Sequence, residues 1–276
     1  MTAVSSKIPT HGNYHNYHGY RYHHPGGHDS RLALLPRGLF TNARVLDVGC
    51  NEGWVSGEIA QSWGARRVVG VDIDDTLVRM AWRRRRTLWS HQAPLSSAGT
   101  SRPNSKRERA PVPASPPVAD YFPASCQHMF GPLPIPAADT LDFDISENTF
   151  PHNISFRRAD WVNESIPEDD GGYNVIVAFS VSKWIHLNGG DAGLSRFFER
   201  VYATLVSGGT FVLEAQPRES YIKARKLHPT LQENAQTSQM RPENFEATAM
   251  FHWVQAWAEA WGAWRRPIPS PSRPVC

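Results

Sequence analysis

The sequence has little cysteine, and the three cysteines that it has form no known pattern. The spacing of Cys50, Cys126 and Cys276 fits neither a zinc site nor a disulfide framework. The sequence also has no apolar run long enough to span a membrane, and its N-terminus lacks the apolar segment of a signal peptide. We therefore expect a soluble protein with no membrane partner, located in the nucleus, the cytoplasm or both.

A large excess of one charge is also missing. The sequence has 29 Lys and Arg against 26 Asp and Glu, which gives a net charge of +3 at pH 7. Residues 83–109 are the exception, with eight Lys and Arg and one acidic residue, Glu108. Such a run is typical of a solvated surface, and it is also compatible with a nucleic-acid contact or a nuclear-import signal.

Proline is unevenly distributed and indicates the domain organisation. Ten of the 22 prolines lie between Pro94 and Pro136, in a stretch that is also rich in serine. Segments of this composition are usually linkers or loops. The predicted organisation is a disordered tail (1–10), one folded domain in two parts (11–89 and 150–245), an insertion (90–149) and an atypical tryptophan-rich C-terminal segment (246–276).

Short apolar runs alternate with helical patterns along the two parts of the domain. The predicted strands are residues 44–48, 67–71, 154–159, 173–179 and 210–214, and the predicted helices are residues 54–63, 75–88 and 192–205. Alternation of this kind, with strands this apolar, predicts an α/β fold with a doubly wound, mostly parallel sheet.

No antiparallel strand pair is recognisable after residue 245. Trp253, Trp257, Trp261 and Trp264 recur at spacings of four, four and three residues, which predicts a helix with an aromatic stripe. A helix that faces the core or a partner, a helix at a membrane interface and a tail of unrelated origin are the three interpretations. A sheet without its last two strands would have an exposed edge.

The turn after the first predicted strand carries the sharpest signal for a ligand. The segment VLDVGCNEG (45–53) lacks the G-x-G-x-x-G pattern of dinucleotide-binding folds, and Asp47 lies two residues before its first glycine, Gly49. A nearby carboxylate disfavours a pyrophosphate but attracts the sulfonium and ammonium groups of S-adenosylmethionine. Asp72 ends the second strand, where a carboxylate can accept both hydroxyls of a ribose. We therefore expect S-adenosylmethionine as the cofactor.

Two further loops at the carboxyl ends of strands are expected to complete the site. Asp160 and Trp161 follow the third strand. In this fold the acid is expected to accept the adenine amine, and the indole is expected to pack on the adenine ring. The loop after the fourth strand is expected to place four polar residues near the methyl donor: Lys183, His186, Asn188 and Asp191.

Four blocks of this sequence resemble the bicoid-interacting, methylphosphate-capping RNA methyltransferases. The blocks are GNYHNYHGYR (12–21), VLDVGCNEG (45–53), SVSKWIHLNGGDAGL (180–194) and LEAQPRESY (213–221). The resemblance implies a class I S-adenosylmethionine-dependent methyltransferase that methylates the terminal (gamma) phosphate at the 5′ end of a small non-coding RNA. It also implies ribonucleoprotein partners, and we expect a monomer.

The resemblance also implies roles for individual residues. Tyr17, Arg21 and Lys183 are expected to hold the phosphate, and His186 is either a proton acceptor or a structural histidine. The donor pocket is expected to contain Tyr20, Arg31, Asp47, Gly49, Asn51, Asp72, Ile73, Asp160, Trp161 and Phe179. A terminal phosphate oxygen is already anionic at neutral pH, so the reaction needs alignment rather than a strong base.

The sequence departs from the family pattern at several positions. His18 stands where a second tyrosine is usual, and Ala215 and Arg218 replace a proline and a tryptophan. The atypical C-terminal segment leaves open an RNA-binding scaffold with a degenerate methyltransferase fold. The sequence also leaves open a methyltransferase for 5′-monophosphate RNA, a protein or a small molecule. The histidine-rich residues 11–28 contain no carboxylate–His–His motif, so we expect no metal site there.

Overall fold

The structure is a computed structural model that describes residues 9–15, 17, 28–91, 122–136, 147–242 and 245, together with the backbone of residues 254–258 and 261–265. The strands are β1 (Arg44–Val48), β2 (Arg67–Asp72), β3 (Ile154–Arg158), β4 (Tyr173–Phe179), β5 (Leu205–Glu214), β6 (Val254–Ala258) and β7 (Trp261–Arg265). The α-helices are α1 (Trp54–Ser62), α2 (Asp75–His91), α3 (Ala124–Phe130), α4 (Ser182–Thr204), α5 (Arg218–Ala224) and α6 (Pro229–Thr237). None of the described helices is long and apolar enough to cross a membrane.

All seven strands belong to one sheet, in the order β3-β2-β1-β4-β5-β7-β6. The strands β1 to β5 run parallel, whereas β7 runs antiparallel to β5 and β6 runs antiparallel to β7. This is the topology of the class I methyltransferase fold, so the predicted α/β fold is confirmed. The strand order reverses between β1 and β4, which is where ligands bind in open sheets of this type.

The strand β4 lies at the centre of the sheet and is buried on both faces. Val175 and Val177 belong to the apolar cluster that contains the buried side chains of α1 and α2. Ile176 and Ala178 belong to the cluster formed with α4 on the other face. Because burial of a side chain of this size stabilises the fold by about 1.5–3 kcal/mol, this strand anchors the loop that follows it.

The C-terminal segment contains two strands, so the helix predicted from its tryptophans is wrong. In the antiparallel ladders, Val212 of β5 pairs with Ala263 of β7, and Trp257 of β6 pairs with Gly262 of β7. Tryptophan is also favoured in strands, and its local spacing does not reveal that β5 offers an edge for pairing. The pair β6–β7 therefore supplies the antiparallel strands that sequence analysis did not find.

The helix α4 and the strand β5 both begin earlier than predicted, because each contains glycines that suggested a chain break in the sequence. The helix α4 begins at Ser182 rather than at residue 192, and Gly190 within it has a φ of 61° and a ψ of −165°. The strand β5 begins at Leu205 rather than at residue 210, although it contains Gly208 with a φ of 76°. Both glycines resemble chain breaks in the sequence, whereas in the structure they produce a kink and an irregularity.

A part of the predicted insertion lies against α2. The side-chain amide of Gln127 in α3 donates a hydrogen bond to Oγ1 of Thr87 at 3.1 Å. The backbone N–H of Leu133 donates to Oγ of Ser90 at 2.7 Å. Residues 122–136 are therefore attached to the outer helix of the domain rather than separate from it.

Candidate active site

A cavity of about 410 Å³ lies at the carboxyl ends of β1 to β4. Its volume is within the range of about 300–1,000 Å³ that is typical of small-molecule sites. Nine of the residues predicted for the donor pocket line it: Arg31, Asp47, Gly49, Asn51, Asp72, Ile73, Asp160, Trp161 and Phe179. The tenth, Tyr20, lies outside the described residues.

The turn after β1 is held in shape by backbone hydrogen bonds. The N–H groups of Gly49 and Cys50 both donate to the carbonyl oxygen of Val71 in β2, at 2.8 and 3.0 Å. Gly49 has a φ of 76°, and a Cβ at this position would lie 2.8 Å from Cγ2 of Val181. The glycine is therefore required by the contact between this turn and the loop after β4.

Two buried carboxylates, those of Asp47 and Asp72, line the cavity at the ends of β1 and β2. Asp47 accepts a hydrogen bond from Oγ of Ser56 at 2.5 Å. The two oxygens of Asp72 accept from the N–H groups of Asn51 and Asp74, each at 2.9 Å. Burial raises the pKa of both carboxyls to about 6. Since each carboxylate oxygen has two lone pairs, Asp72 can still accept from further hydroxyl groups.

The guanidinium of Arg31 is held by two carboxylates of the protein. It donates to both oxygens of Asp29, at 2.8 and 2.6 Å, and to Oε2 of Glu214 at 2.7 Å. Burial alone would lower the pKa of Arg31, but the interactions with Asp29 and Glu214 raise it. Its carbon Cζ lies 4.7 Å from the ring centre of Phe179. Arg31 therefore forms part of the cavity wall, and the carboxylates of Asp29 and Glu214 already compensate for its positive charge.

The loop after β3 places Asp160 in the cavity wall, whereas the indole of Trp161 turns towards the core. Asp160 lines the cavity and accepts a hydrogen bond from Nδ2 of Asn163 at 2.7 Å. Trp161 borders the cavity, but it is only 2% exposed and its Nε1 donates to Asp169 at 3.1 Å. Its ring meets Phe197 of α4 edge-on, at 6.3 Å between ring centres. The indole thus packs in the core, and the expected stacking on an adenine is not supported.

The N-terminal segment forms a further part of the cavity wall. The side-chain amide of Asn13 donates to Asp74 at 2.6 Å, and that of Asn188 in α4 donates to a backbone carbonyl of the segment at 2.9 Å. Gly12 lies so close to Trp184 that a Cβ on it would overlap the indole ring. The segment is therefore attached to both sides of the cavity, with residues 11–13 and 17 in its wall.

The structure does not bring all the predicted phosphate-binding residues together. Tyr17 lines the cavity, whereas Arg21 lies outside the described residues. Lys183 is 9% exposed at the start of α4, with its Nζ 4.7 Å from the ring centre of Trp184. Burial lowers the pKa of this lysine. Lys183 does not line the cavity itself, but Trp184, against which its ammonium group packs, does.

His186 is also absent from the cavity wall, although Asn188, two residues further along α4, belongs to it. The Nε2 atom of His186 lies 2.7 Å from Oδ1 of Asp191, and its Nδ1 lies 3.4 Å from the hydroxyl of Tyr221. Burial would raise the pKa of Asp191, but hydrogen bonds from the N–H of Gln239 and from His186 lower it. These contacts favour the structural interpretation of His186 and do not support a proton acceptor in the cavity.

Sequence analysis did not single out two residues that line the cavity, Trp184 and Arg196. Trp184 and Asn188 are four residues apart and lie on one side of the first part of α4, whereas Arg196 follows the kink at Gly190. This signal was hidden because the helix was predicted to begin after Asn188. Arg196 is exposed, and no hydrogen bond or ion pair connects its side chain to another residue in the described part of the chain.

Comparison with known proteins identifies relatives over most of the chain. The family model of Bicoid-interacting protein 3 (Bin3) matches residues 173–269. The chain is 37% identical over 241 residues to the 7SK snRNA methylphosphate capping enzyme of Mus musculus, a match that covers 86% of this chain and 35% of the relative. It is 28% identical over 239 residues to the U6 snRNA methylphosphate capping enzyme Amus of Drosophila melanogaster, covering 85% of this chain and 62% of the relative.

A third relative is matched over most of its own length. The chain is 32% identical over 235 residues to a probable RNA methyltransferase of Arabidopsis thaliana, covering 85% of this chain and 69% of the relative. By contrast, the chain spans only about a third of the mouse capping enzyme. On the identity and coverage of these matches, and on the family model that covers β4 to β7, the chain belongs to the Bicoid-interacting protein 3 (Bin3) family.

Proposed function

We propose that this protein is an S-adenosylmethionine-dependent RNA methyltransferase that methylates the terminal (gamma) phosphate at the 5′ end of a small RNA. One observation carries this proposal: the buried carboxylates of Asp47 and Asp72 line the same cavity as Tyr17 and Arg196. The names of the mouse and Drosophila relatives, which are capping enzymes for 7SK and U6 snRNA, support the substrate class.

The carboxylate side of the cavity fits S-adenosylmethionine. Asp72 has acceptor capacity left for the ribose hydroxyls, and Asp47 adds negative charge that attracts the sulfonium and ammonium groups. Ile73 and Phe179 offer apolar contacts in the same wall. When bound, S-adenosylmethionine supplies an electrophilic methyl group.

The opposite side of the cavity suits an anionic acceptor. A terminal phosphate carries close to two negative charges at neutral pH and would be repelled by the carboxylates unless a cation compensated for them. Arg196 can provide that charge with N–H groups that match phosphate oxygens, and Tyr17 can add a phenolic O–H. The anionic oxygen needs no base, which agrees with the absence of His186 from the cavity wall. The work of these side chains is to orient the phosphate and exclude water.

The cellular setting is part of the same proposal. Because two relatives are named for small nuclear RNAs, we propose that this protein acts on such an RNA in the nucleus, together with ribonucleoprotein partners. We further propose that residues 11–89 and 150–245 form the methyltransferase domain, with β6 and β7 completing its sheet. A monomer remains our prediction for its assembly.

The alternative of an inactive scaffold depended on the C-terminal segment. Sequence analysis expected a sheet with an exposed edge after β5, which would weaken the fold. The strand β7 covers that edge through pairs from Thr210–Arg265 to Leu213–Gly262. The physical reason for preferring a degenerate fold is thereby removed, and we retain the enzymatic proposal.

Labelled S-adenosylmethionine and three matched RNAs test this proposal. The RNAs share one sequence and carry a 5′ triphosphate, a 5′ monophosphate or a 5′ hydroxyl. We expect label on the triphosphate RNA and none on the hydroxyl RNA, since the acceptor is a terminal phosphate oxygen. Equal labelling of all three RNAs would place the methyl group elsewhere, and transfer to the monophosphate RNA alone would establish the other 5′ end as the substrate.

A further inference from the structure

A second, smaller cavity of about 50 Å³ lies on a different side of α4. Trp184 and Ile185 line the first cavity, whereas His186 and Leu187 line the second, together with residues of α5 and α6 and the chain that follows α6. A single water molecule needs about 10–15 Å³ on this scale, so the second cavity accommodates a group of several non-hydrogen atoms.

Three arginines line this second cavity: Arg218, Arg225 and Arg241. We call it the arginine pocket. A guanidinium N–H of Arg241 donates to the carbonyl oxygens of Ser238 and Met240, at 2.6 and 2.8 Å, which fixes this side chain. In the described part of the chain, no hydrogen bond or ion pair connects the side chain of Arg218 or Arg225 to another residue.

No carboxylate compensates for these charges at the wall of the arginine pocket, as far as its described residues go. Asp191 lies nearby through its contact with His186, but its oxygens already accept hydrogen bonds from the N–H groups of Gln239 and Met240. Clustered cations with no acid among them create a local positive potential that attracts an anion. Arginine also matches the oxygens of a phosphate group in a way that a small point charge does not.

The arginine pocket is connected to the first cavity by the loop between β5 and α5. The side-chain amide of Gln216 donates to the carbonyl oxygen of Ser180 at 2.7 Å, and its oxygen accepts from the N–H of Lys183 at 3.4 Å. Ser180 lines the first cavity, and Arg218 follows Gln216 by two residues. These hydrogen bonds therefore fix the position of the arginine pocket relative to the first cavity, with the first turns of α4 between them. A helix with its side chains is about 10–12 Å across, a distance that an RNA strand of a few nucleotides spans.

We propose that the arginine pocket binds a backbone phosphate of the RNA whose 5′ end occupies the first cavity. The assignment of RNA as the ligand rests on the proposed function, whereas the phosphate chemistry of the pocket rests on its three arginines. The pocket would favour an RNA several nucleotides long over a free nucleotide. Free inorganic phosphate shares this chemistry, and the experiment distinguishes the two sources.

The test compares the unaltered chain with Arg218→Ala/Arg225→Ala. Binding of 5′-triphosphate RNAs of about two and about ten nucleotides is measured by fluorescence anisotropy across a range of salt concentrations. For the longer RNA, loss of one phosphate contact should reduce the slope of log K against log salt by about 0.7, while the dinucleotide should bind unchanged. Arg218→Lys/Arg225→Lys retains the charge and should keep most of the slope.

Two controls make the result decisive. Arg37→Ala/Arg66→Ala removes the same charge from exposed positions outside both cavities and should leave the slope unaltered. Inorganic phosphate is titrated by calorimetry into each variant. If phosphate binding is lost but the RNA slope is unchanged, the pocket belongs to free phosphate and the RNA assignment is overturned. If neither changes, the pocket is no phosphate site. Because the readout is binding, these outcomes remain distinct from a failure of methyl transfer.

Discussion

At the scale of single residues, two buried carboxylates set the charge of the donor side of the cavity. Burial raises the pKa of Asp47 and Asp72 to about 6, so both carboxyls are ionised above that pH and are progressively protonated below it. A cationic ligand prefers the ionised form. We predict that the affinity for S-adenosylmethionine, measured by calorimetry, falls as the pH is lowered from about 7.5 to about 5.5.

Asp72→Asn serves as the control for this pH dependence. It removes one titrating group, so it should weaken donor binding at neutral pH and flatten the profile. A profile that is already flat in the unaltered protein would contradict the role of both carboxylates.

Folding responds in the opposite sense: the folded-state pKa exceeds the ordinary value of 3.8, so the contribution of these groups to stability is lost as the pH rises through about 6.

Arg196 is the residue that we expect to hold the acceptor phosphate. A hydrogen bond to a charged group contributes about 1.5–3 kcal/mol, and about 1.4 kcal/mol corresponds to a tenfold change. We predict that Arg196→Ala lowers kcat/KM for 5′-triphosphate RNA by about tenfold or more and leaves the affinity for S-adenosylmethionine unchanged. Arg83→Ala, at an exposed position of α2, is the matched control. If kcat/KM is unchanged in the Arg196 variant, side chains other than Arg196 bind the phosphate.

At the scale of elements, the kinked helix α4 is connected to the chain after α6 by Asp191. Its carboxylate accepts from the N–H groups of Gln239 and Met240 and contacts the ring of His186. We predict that Asp191→Ala lowers the free energy of unfolding by about 1–3 kcal/mol, because two backbone N–H groups and the buried ring of His186 lose their partner. Urea unfolding measures this change. Lost turnover with unchanged stability would instead indicate that the His186–Asp191 pair acts in the reaction.

The strand β7 lies between β5 and β6 and connects them. Ala263 pairs with Val212 on one side and with Ala256 on the other. Proline at this position removes a backbone N–H from the ladder, and proline is normally confined to edge strands. We predict that Ala263→Pro lowers the urea midpoint, whereas Ala263→Val, which favours strands, retains it. Equal midpoints for the two variants would show that this strand contributes little to the sheet.

At the scale of the whole molecule, the sheet was predictable because its parallel strands are continuous apolar runs. The segment 173–179 is an example, and the structure places it at the centre of the sheet. The pairing of β5 with β7 joins residues that are distant in the chain, so the local spacing of tryptophans pointed to a helix instead. Sequence analysis likewise located Asp47, Gly49 and Asp72 at strand ends, where chain position and spatial position coincide.

The sequence did not determine the direction in which individual side chains of the candidate site point. Trp161 follows a strand as predicted, yet its indole turns towards Phe197 because the core on that face accepts it. His186 and Trp184 are neighbours in one motif, but only Trp184 lines the cavity. Such directions depend on packing against elements that lie far away in the chain, which no local pattern records.

The central claim is that one cavity brings the methyl donor and the terminal phosphate of an RNA together. Mass spectrometry of the 5′-terminal nucleotide, released by nuclease digestion after incubation of a 5′-triphosphate RNA with S-adenosylmethionine, tests it most directly. We predict one added methyl group on the triphosphate, with none on the base or the ribose. A methyl group on a base or a ribose hydroxyl would contradict the claim.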